Sequence, residues 1–489
     1  MHKFSIPSEV SYVTKELEKA GFEAFLVGGC VRDLILGRDP KDWDVTTNAT
    51  PEQIIPLFTH TFYENTFGTV GIVNEEVGDE RLKVIEVTPY RLESEYSDNR
   101  HPDSVTFSQK IEDDLKRRDL TINSLAYSVS QETIVDLFEG QKDLQNKIAR
   151  TVGKPEDRFN EDGLRMLRVI RFAVELGFEI EPETEKAILN NAQLLENIST
   201  ERIRDEFNKM LMSPSPMIAI QTLRKLDILK YISPELEKAI GIEQGGAHSY
   251  DVWEHLLRSV QASADKNYPL EMRLSALFHD ISKPETRRRG LKAKMWTFYG
   301  HEVVGARVTK KILERMKYPT KVIEKVTKMI RWHMFFSDTE QITLSAVRRM
   351  IVNVGRENIW DLMNLRICDR IGTGRPKEDP YRLRKYHAMI EEALRDPVSV
   401  GMLKIDGKKI IEITKTAPGP HIGFILHALL EEVLDDPLKN TEEYMETKAI
   451  ELMQLPPDEL KALGESGKES KEEADEIEVK KIRKEHKVK

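Results

Sequence analysis

Cysteine is nearly absent from this chain: Cys30 and Cys368 are the two in 489 residues. They sit in separate motifs, which argues against a disulfide-stapled scaffold and fits a reducing, cytoplasmic compartment. Also missing is any apolar run near the roughly 20 residues that span a bilayer. Met1 to Val10 carries no basic patch followed by an apolar core, so no secretory signal is expected. A basic excess is lacking too. The net charge of −9 counts mildly against a nucleic-acid binder but leaves room for a local groove of Lys and Arg that holds phosphates. No fixed-period repeat is present. What remains is 39% hydrophobic and 32% charged, a globular composition long enough for about three domains. Gly464 to Lys489 has almost no large apolar residues, an acidic stretch (Glu472 to Glu478) and then a basic one (Lys480 to Lys489). The charged tail 456–489 is therefore expected to be disordered.

Strand-like and helix-like runs alternate over residues 1–150. Phe22 to Val27 reads as a strand before the Gly28-Gly29 turn, Val31 to Leu36 as a helix, and Trp43 to Thr47 and Arg81 to Val87 as strands. In the last of these, Leu82, Val84 and Glu86 are expected on one face. From about Asn160 the spacing turns helical and stays so through Met453. Leu164, Leu167, Ile170 and Phe172 form an apolar stripe interrupted by Arg165, Arg168 and Arg171, and Pro214, Pro216 and Gly241 to Gly246 punctuate the helical part. The fold class is α+β, a mixed-sheet head followed by an all-helical remainder.

The most informative segment is Leu26 to Ala49, LVGGCVRDLILGRDPKDWDVTTNA. Asp42 and Asp44 are two apart, so on a strand both side chains point to one face. Two carboxylates that close repel, and a hard divalent cation such as Mg²⁺ resolves the repulsion. Gly28 and Gly29 precede a helix, where backbone N–H groups can approach a triphosphate. Arg32 can pair with phosphate while Asp33 orients it. This stretch resembles the nucleotidyltransferase superfamily, specifically the class II tRNA nucleotidyltransferases and bacterial poly(A) polymerases, whose signature is GG, then RD, then DxD on the next strand. The resemblance implies catalysis by metal ions on the carboxylates, with a third carboxylate from a neighbouring strand. Glu86 in KVIEVTPYR is the candidate, and a solvated strand residue would look the same.

Further motifs follow in the family's order. DLKRRDLTINSLAY (Asp114 to Tyr127) resembles its sugar- and phosphate-contacting segment, through Arg117, Arg118, Asp119 and Asn123. Asp136 to Gly140, followed by Asp143, resembles the hinge between head and neck. In EDGLR (Glu161 to Arg165), Asp162 and Arg165 are three apart and share a face if helical. An Asp acceptor beside an Arg donor can read the amino group and ring nitrogen that cytosine and adenine share, and reject uracil and guanine. An ordinary surface ion pair has the same spacing. Arg168 is a further nucleotide-binding candidate, and Glu201, Arg202 and Arg204 in STERIRDEFNKML are given a supporting role. Tyr90 to Asp103 is polar and aperiodic. It resembles the flexible loop of enzymes that add the whole CCA sequence.

The helical half holds an ordered series of His255, His279-Asp280, His301, His333 and Asp369. Imidazoles and carboxylates together bind divalent metals, and the series resembles the HD phosphohydrolase superfamily. The resemblance implies His255, His279, Asp280 and Asp369 as the metal set, His301 and His333 as ligands of a second metal or of phosphate, and Mg²⁺, Mn²⁺, Ni²⁺ or Co²⁺ as the ion. Lys283 follows, as in HDxxK versions. Arg287, Arg288, Arg289, Lys292 and Lys294 are placed to hold RNA phosphates, and a solvated loop would carry the same run. Because His279 and Asp280 are adjacent, helical geometry separates their side chains by about 100°, so a shared metal must lie between that helix and its neighbours. Such a domain fused to CCA-adding enzymes implies 2′,3′-cyclic phosphodiesterase or phosphatase activity; an HD fold kept for packing is the alternative. Pro418-Gly419-Pro420 and the helix after it look like the family's C-terminal body.

The expected organisation is a nucleotidyltransferase head (1–150), a helical neck (151–240), an HD domain (241–375), a C-terminal body (376–455) and the tail. The expected partners are the tRNA 3′ end, CTP and ATP, without a membrane. The head motifs also fit a poly(A) polymerase or a CC-only or A-only enzyme, and a silent head would leave an RNA-binding HD protein.

Overall fold

The computed structural model describes residues 3–64, 68–93, 105–245, 249–289, 296–334, 342–375, 378 and 380–465. The chain divides into two compact units, at Pro234 and Glu235.

In the first unit, β1 (Ala24–Val27), β2 (Asp44–Thr47), β3 (Thr61–Glu64), β4 (Thr69–Val73) and β5 (Val84–Pro89) join two later strands in one sheet. A separate antiparallel pair, β6 (Arg91–Glu93) and β7 (Val105–Phe107), precedes those two, β8 (Leu125–Ser128) and β9 (Thr133–Asp136). The seven-stranded order is β3-β4-β5-β2-β1-β8-β9. β1 lies inside the sheet, antiparallel to β2 and β8, which is why its AFLV sequence is nearly all apolar. β2 and β5 run parallel, with Asp44 level with Glu86. β1 ends at Gly28, whose φ of +81° suits glycine, and the helix Gly29–Ile35 begins.

The strand expected from Arg81 begins only at Val84. Glu80–Leu82 is a 3₁₀ turn, capped by the Asp79 carboxylate, which accepts from the Arg81 N–H at 3.0 Å. Leu82 is buried from that turn and does not share a strand face with Val84 and Glu86. Of the expected loop Tyr90 to Asp103, Tyr90 is buried and its hydroxyl donates to Glu23 at 3.0 Å. Arg91–Glu93 is strand, and residues 94–104 lie outside the described residues.

The neck is helical apart from a two-residue parallel ladder that ties Glu179–Ile180 to Ile148–Ala149. Leu164, Leu167 and Ile170 are fully or nearly buried in the helix Leu164–Leu176, and Arg165 and Arg171 are buried with them.

In the second unit, the helices Val252–Asp265, Leu270–Phe278, His301–Arg315, Thr320–Trp332 and Ile359–Gly372 pack together. A short antiparallel pair, Arg288–Arg289 with Trp296–Thr297, adds to them. Beyond these, the helices Gly407–Thr414, Pro420–Asp435, Glu442–Met453 and Pro457–Glu465 enclose a core of Ile410, Ile425, Leu429, Val433 and Met445. Each such side chain contributes about 2 kcal/mol of burial. The tail expected to be disordered from 456 is therefore helical over Pro457–Glu465. Leu460 joins that core, and Gly464 lies so close that a Cβ there would be 2.4 Å from the Phe424 Cα. Residues 466–489 lie outside the described residues. Among the described residues no helix is long and apolar enough to cross a membrane.

Candidate functional site

The first site opens where β1 and β2 meet the helix Gly29–Ile35. Asp44 begins β2, while Asp42 stands in the bend before it, so the two do not share a strand as expected. Both still line one cleft of about 720 Å³, with Gly28 and Gly29. A Cβ on Gly28 would fall 2.9 Å from Arg118 Nη1, so glycine lets the cation approach the turn. Burial, and after it Asp42, push the Asp44 carboxyl up to about 7; Glu86 adds to this and Arg118 opposes it. Crowded carboxylates at such a raised pKa are relieved by a divalent cation, and their hard oxygens fit one. Glu86 is exposed and level with Asp44, but it is not among the residues lining the cleft. Among the described residues Asp42 and Asp44 belong to no set of three donor atoms that all lie within 4.8 Å of one another.

The rest of the cleft is cationic and tightly held. Arg32 donates to Asn123 Oδ1 at 2.7 Å and to Asp33 Oδ1 at 2.9 Å. Arg118 reaches Asp114 Oδ2 at 3.0 Å, and Arg168 reaches Asp119 Oδ2 at 2.6 Å. Burial alone would raise the Asp119 carboxyl, but Arg168 and then Arg165 outweigh it and hold it at about 2. The guanidinium carbons of Arg32, Arg168 and Arg171 lie 5.2, 5.5 and 3.9 Å from the Phe172 ring centre. Sequence reasoning placed Phe172 only in the apolar stripe. The three-residue spacing of Arg165, Arg168 and Arg171 before it was the available signal.

Asp162 and Arg165 both line this cleft, but not from one helix face. Asp162 ends the helix Pro155–Glu161 in an extended conformation (φ −151°), and its Oδ1 accepts from Leu164 N at 3.0 Å. The next helix starts at Leu164. The two residues therefore straddle a helix break, and each has another partner. Asp162 is gripped by Arg202 at 2.7 and 3.2 Å. Arg165 donates to Glu161 Oε2 at 2.5 Å and to the Arg117 carbonyl at 3.1 Å. In the segment expected as the hinge, Asp136 accepts from the N–H groups of Gly140 (2.8 Å) and Gln141 (2.9 Å).

The second site lies in the second unit. Two sets of donor atoms each fall within 4.8 Å of one another: His255, His279, Asp280 and Asp369, and Asp280, His301 and His333. All six residues are buried. His279 ends the helix Leu270–Phe278 and Asp280 lies in the following turn, which relieves the divergence that helical geometry would impose. Gly372 lets Asp369 approach, since a Cβ there would be 2.1 Å from Ser259 Oγ and 2.8 Å from the His255 carbonyl. His255 Nε2 lies 2.9 Å from His279 Nε2, 3.0 Å from Asp280 Oδ2 and 3.5 Å from Asp369 Oδ1. On the other side, His301 and His333 bring Nε2 to 3.0 and 3.5 Å from Asp280 Oδ1. One carboxylate thus serves both sets, one oxygen each.

The chemistry of these donors fits metal ions. Nδ1 of His279, His301 and His333 lies 2.9, 2.7 and 2.7 Å from a backbone carbonyl three residues back. A carbonyl only accepts, so each Nδ1 carries the proton and a neutral ring presents an Nε2 lone pair. Those lone pairs face carboxylate oxygens, an arrangement that a cation completes. Among the described residues Asp280 Oδ1 finds no hydrogen-bond donor of good geometry. Burial holds His255 and His333 below the usual histidine range. Burial also lowers His279, but Asp280 and Asp369 outweigh it and push the ring up to about 10. Lys283 adds charge, its Nζ 2.5 Å from Asp280 Oδ2 and 2.6 Å from Gln244 Oε1. The site floors a cavity of about 1030 Å³.

The expected phosphate-holding run behaves differently. Arg287 stacks on Trp296 at 3.7 Å, and Arg288 donates to the carbonyls of Glu285 and Arg287. Neither they nor Arg289 line the cavity, and Lys292 and Lys294 lie outside the described residues.

Residues 24–150 match the poly A polymerase head domain, residues 177–240 the probable RNA and SrmB-binding site of polymerase A, and residues 245–370 the HD domain. The chain is thus a nucleotidyltransferase with a poly(A) polymerase-type head, joined to an HD domain. Along 436 residues it is 32% identical to the CCA-adding enzyme of Lactiplantibacillus plantarum, covering 88% of this chain and 93% of that one. It is 30% identical over 440 residues to that of Geobacillus thermodenitrificans, with the same coverage. A crystal structure of the Bacillus stearothermophilus CCA-adding enzyme in complex with CTP superposes with a TM-score of 0.68 at 28% identity, covering 91% of this chain and 98% of that one. The chain belongs to the CCA-adding enzyme family.

Proposed function

We propose that this chain adds C, C and A to the 3′ end of tRNA, from CTP and ATP and without a nucleic-acid template. The observation that carries this is one cleft in which Asp42 and Asp44 share a wall with Asp162 and Arg165. Arg32, oriented by Asp33 and Asn123, and Arg118 bind the triphosphate, with Gly28 and Gly29 giving its phosphates close approach. Asp119 holds Arg168 toward the nucleotide. Asp162 accepts from the exocyclic amino group of cytosine or adenine, and Arg165 donates to the ring nitrogen beside it. The RNA 3′-oxygen bonds to the α-phosphorus and pyrophosphate leaves. Mg²⁺ held by Asp42 and Asp44 would supply acidification of the 3′-hydroxyl and stabilisation of the departing charge, with Glu86, outside the cleft lining, adding only its negative charge.

The second site is proposed as a phosphohydrolase acting on 2′,3′-cyclic phosphate or terminal phosphate ends. His255, His279, Asp280 and Asp369 would hold one divalent metal, and Asp280, His301 and His333 a second. Mn²⁺, Ni²⁺ and Co²⁺ suit imidazole with carboxylate, whereas Mg²⁺, a hard ion, would depend on the carboxylates. Hydrolysis there returns a 3′-hydroxyl for extension. We assign head, neck, HD domain and body to 1–150, 151–240, 241–375 and 376–455, with the helix Pro457–Glu465 packed onto the body's core, and place the protein with its tRNA substrate in the cytoplasm.

The test is incubation with a tRNA transcript lacking CCA and each NTP in turn, read as product length. CTP alone should add two residues and CTP with ATP three, and Asp44→Ala should add none. A long tail from ATP alone would make the enzyme a poly(A) polymerase. A stop after CC, or addition of A only to a CC-ended transcript, would make it a partial enzyme.

A further inference from the structure

The cationic wall of the HD cavity is not the loop after Lys283. It is built by the helix that supplies Asp369. Arg366 and Arg370 stand one helical turn apart, on either side of Asp369 in sequence, and both line the cavity with Arg375, just past the helix end at Gly372. Arg366 also donates to Asp369 Oδ2. Three cations thus line one cavity, in a chain whose net charge is −9. Like charges gathered at a cavity wall are relieved by a polyanion.

A second, independent observation is Tyr381. It is the first residue of the helix Tyr381–Ala393 and lines the same cavity, yet it is 68% exposed. An aromatic ring left in water at the rim of a phosphoester site is a stacking platform without its base. The cavity, at about 1030 Å³, is at the upper end of the range that encloses a nucleotide-sized ligand, well beyond what a bare phosphate group fills.

We infer that Arg366, Arg370, Arg375 and Tyr381 form a strand-binding subsite of the HD centre: the arginines hold phosphates of the RNA backbone and Tyr381 stacks on a base. The centre then acts on the end of a polynucleotide in preference to small phosphodiesters. The inference rests on the phosphohydrolase reading above and names the substrate that reading leaves open.

The experiment uses the full chain loaded with Mn²⁺ and two probes, a short RNA ending in 2′,3′-cyclic phosphate and bis(p-nitrophenyl) phosphate. The readout is the ratio of kcat/KM for the first over the second, which a partial loss of metal or fold leaves unmoved. Tyr381→Ala and Arg375→Gln both change exposed side chains, so folding is retained. Each should lower the ratio about tenfold, and Tyr381→Phe should keep it. Arg375→Gln should also flatten the salt dependence of the RNA reaction, by about 0.7 in the log–log slope. Hydrolysis of both probes with the same ratio in wild type and variants would overturn the subsite and leave the hydrolase. Failure to hydrolyse either probe with any divalent metal would overturn the hydrolase reading and the subsite with it.

Discussion

Arg202 grips Asp162 with two hydrogen bonds, from Nη2 at 2.7 Å and from Nη1 at 3.2 Å. The pair joins the helix Thr200–Met212 to the break between two neck helices, and it fixes a carboxylate that has no helix of its own to orient it. In the proposed base-reading role, a fixed carboxylate would welcome the amino group of C or A and oppose the carbonyl of U or G.

Base choice should therefore depend on Arg202 as well as on Arg165. Arg165→Ala and Arg202→Ala are each expected to admit UTP or GTP, lowering the preference for CTP about tenfold or more, in line with one lost charge-assisted bond of 1.5–3 kcal/mol. Arg202→Lys should restore part of it. Single-nucleotide addition to a CCA-less tRNA, measured with all four NTPs, checks this. Equal slowing on every nucleotide would make both residues structural.

The chemistry of this cleft was legible in the sequence because its residues are close in the chain and of unusual type: Gly28-Gly29, Arg32-Asp33, Asp42 and Asp44. The helix break at Asp162 was not. It lies beside Gly163, where a Cβ would sit 3.2 Å from both the Cβ and the carbonyl oxygen of Leu194, a tertiary contact that no local pattern encodes. The helix Pro457–Glu465 was missed for the same kind of reason, since Leu460 orders it against a distant core. In the HD centre the residue types and their order announced a metal site. The division of Asp280 between two sets of ligands needed the turn that follows His279. The arginines of the cavity escaped notice because the more conspicuous basic run came first.

Asp119 links the head to acid stability. Its carboxyl is 7% exposed and held at about 2 by Arg168, against about 3.9 in an unfolded chain. A depressed carboxylate stabilises the fold above its unfolded pKa, and that contribution fades as pH falls through the folded one. Here the window is from about pH 4 to about pH 2 and the contribution about 2 kcal/mol. Asp119→Asn should accordingly be less stable than wild type by about that amount at pH 6, and the gap should narrow as the pH approaches 3. Urea midpoints across this range check the prediction. A gap independent of pH would mean that packing, not the ion pair, sets the cost.

The HD centre makes a sharper demand, because Asp280 offers Oδ2 to His255 and His279, and Oδ1 to His301 and His333. If each set holds one ion, wild type loaded with Mn²⁺ should carry about two metal equivalents in the HD centre, apart from any ion at Asp42 and Asp44 that Asp44→Ala removes. His333→Gln removes a ligand from one set only and should lose about one equivalent. Asp280→Asn keeps the shape but removes the anion common to both, and should lose nearly all. Hydrolysis of a 2′,3′-cyclic phosphate should fall at least about 100-fold with Asp280→Asn, beyond the 10–100-fold typical of losing an outer-shell partner. CCA addition should be unaffected, since the cleft that carries it lies in the other unit. Metal content by elemental analysis and the two activities measured on one preparation decide the matter. Equal metal loss in the two variants would mean that a single ion is bound. Unchanged metal content in Asp280→Asn would remove the bridging role, and full hydrolysis would place the chemistry elsewhere.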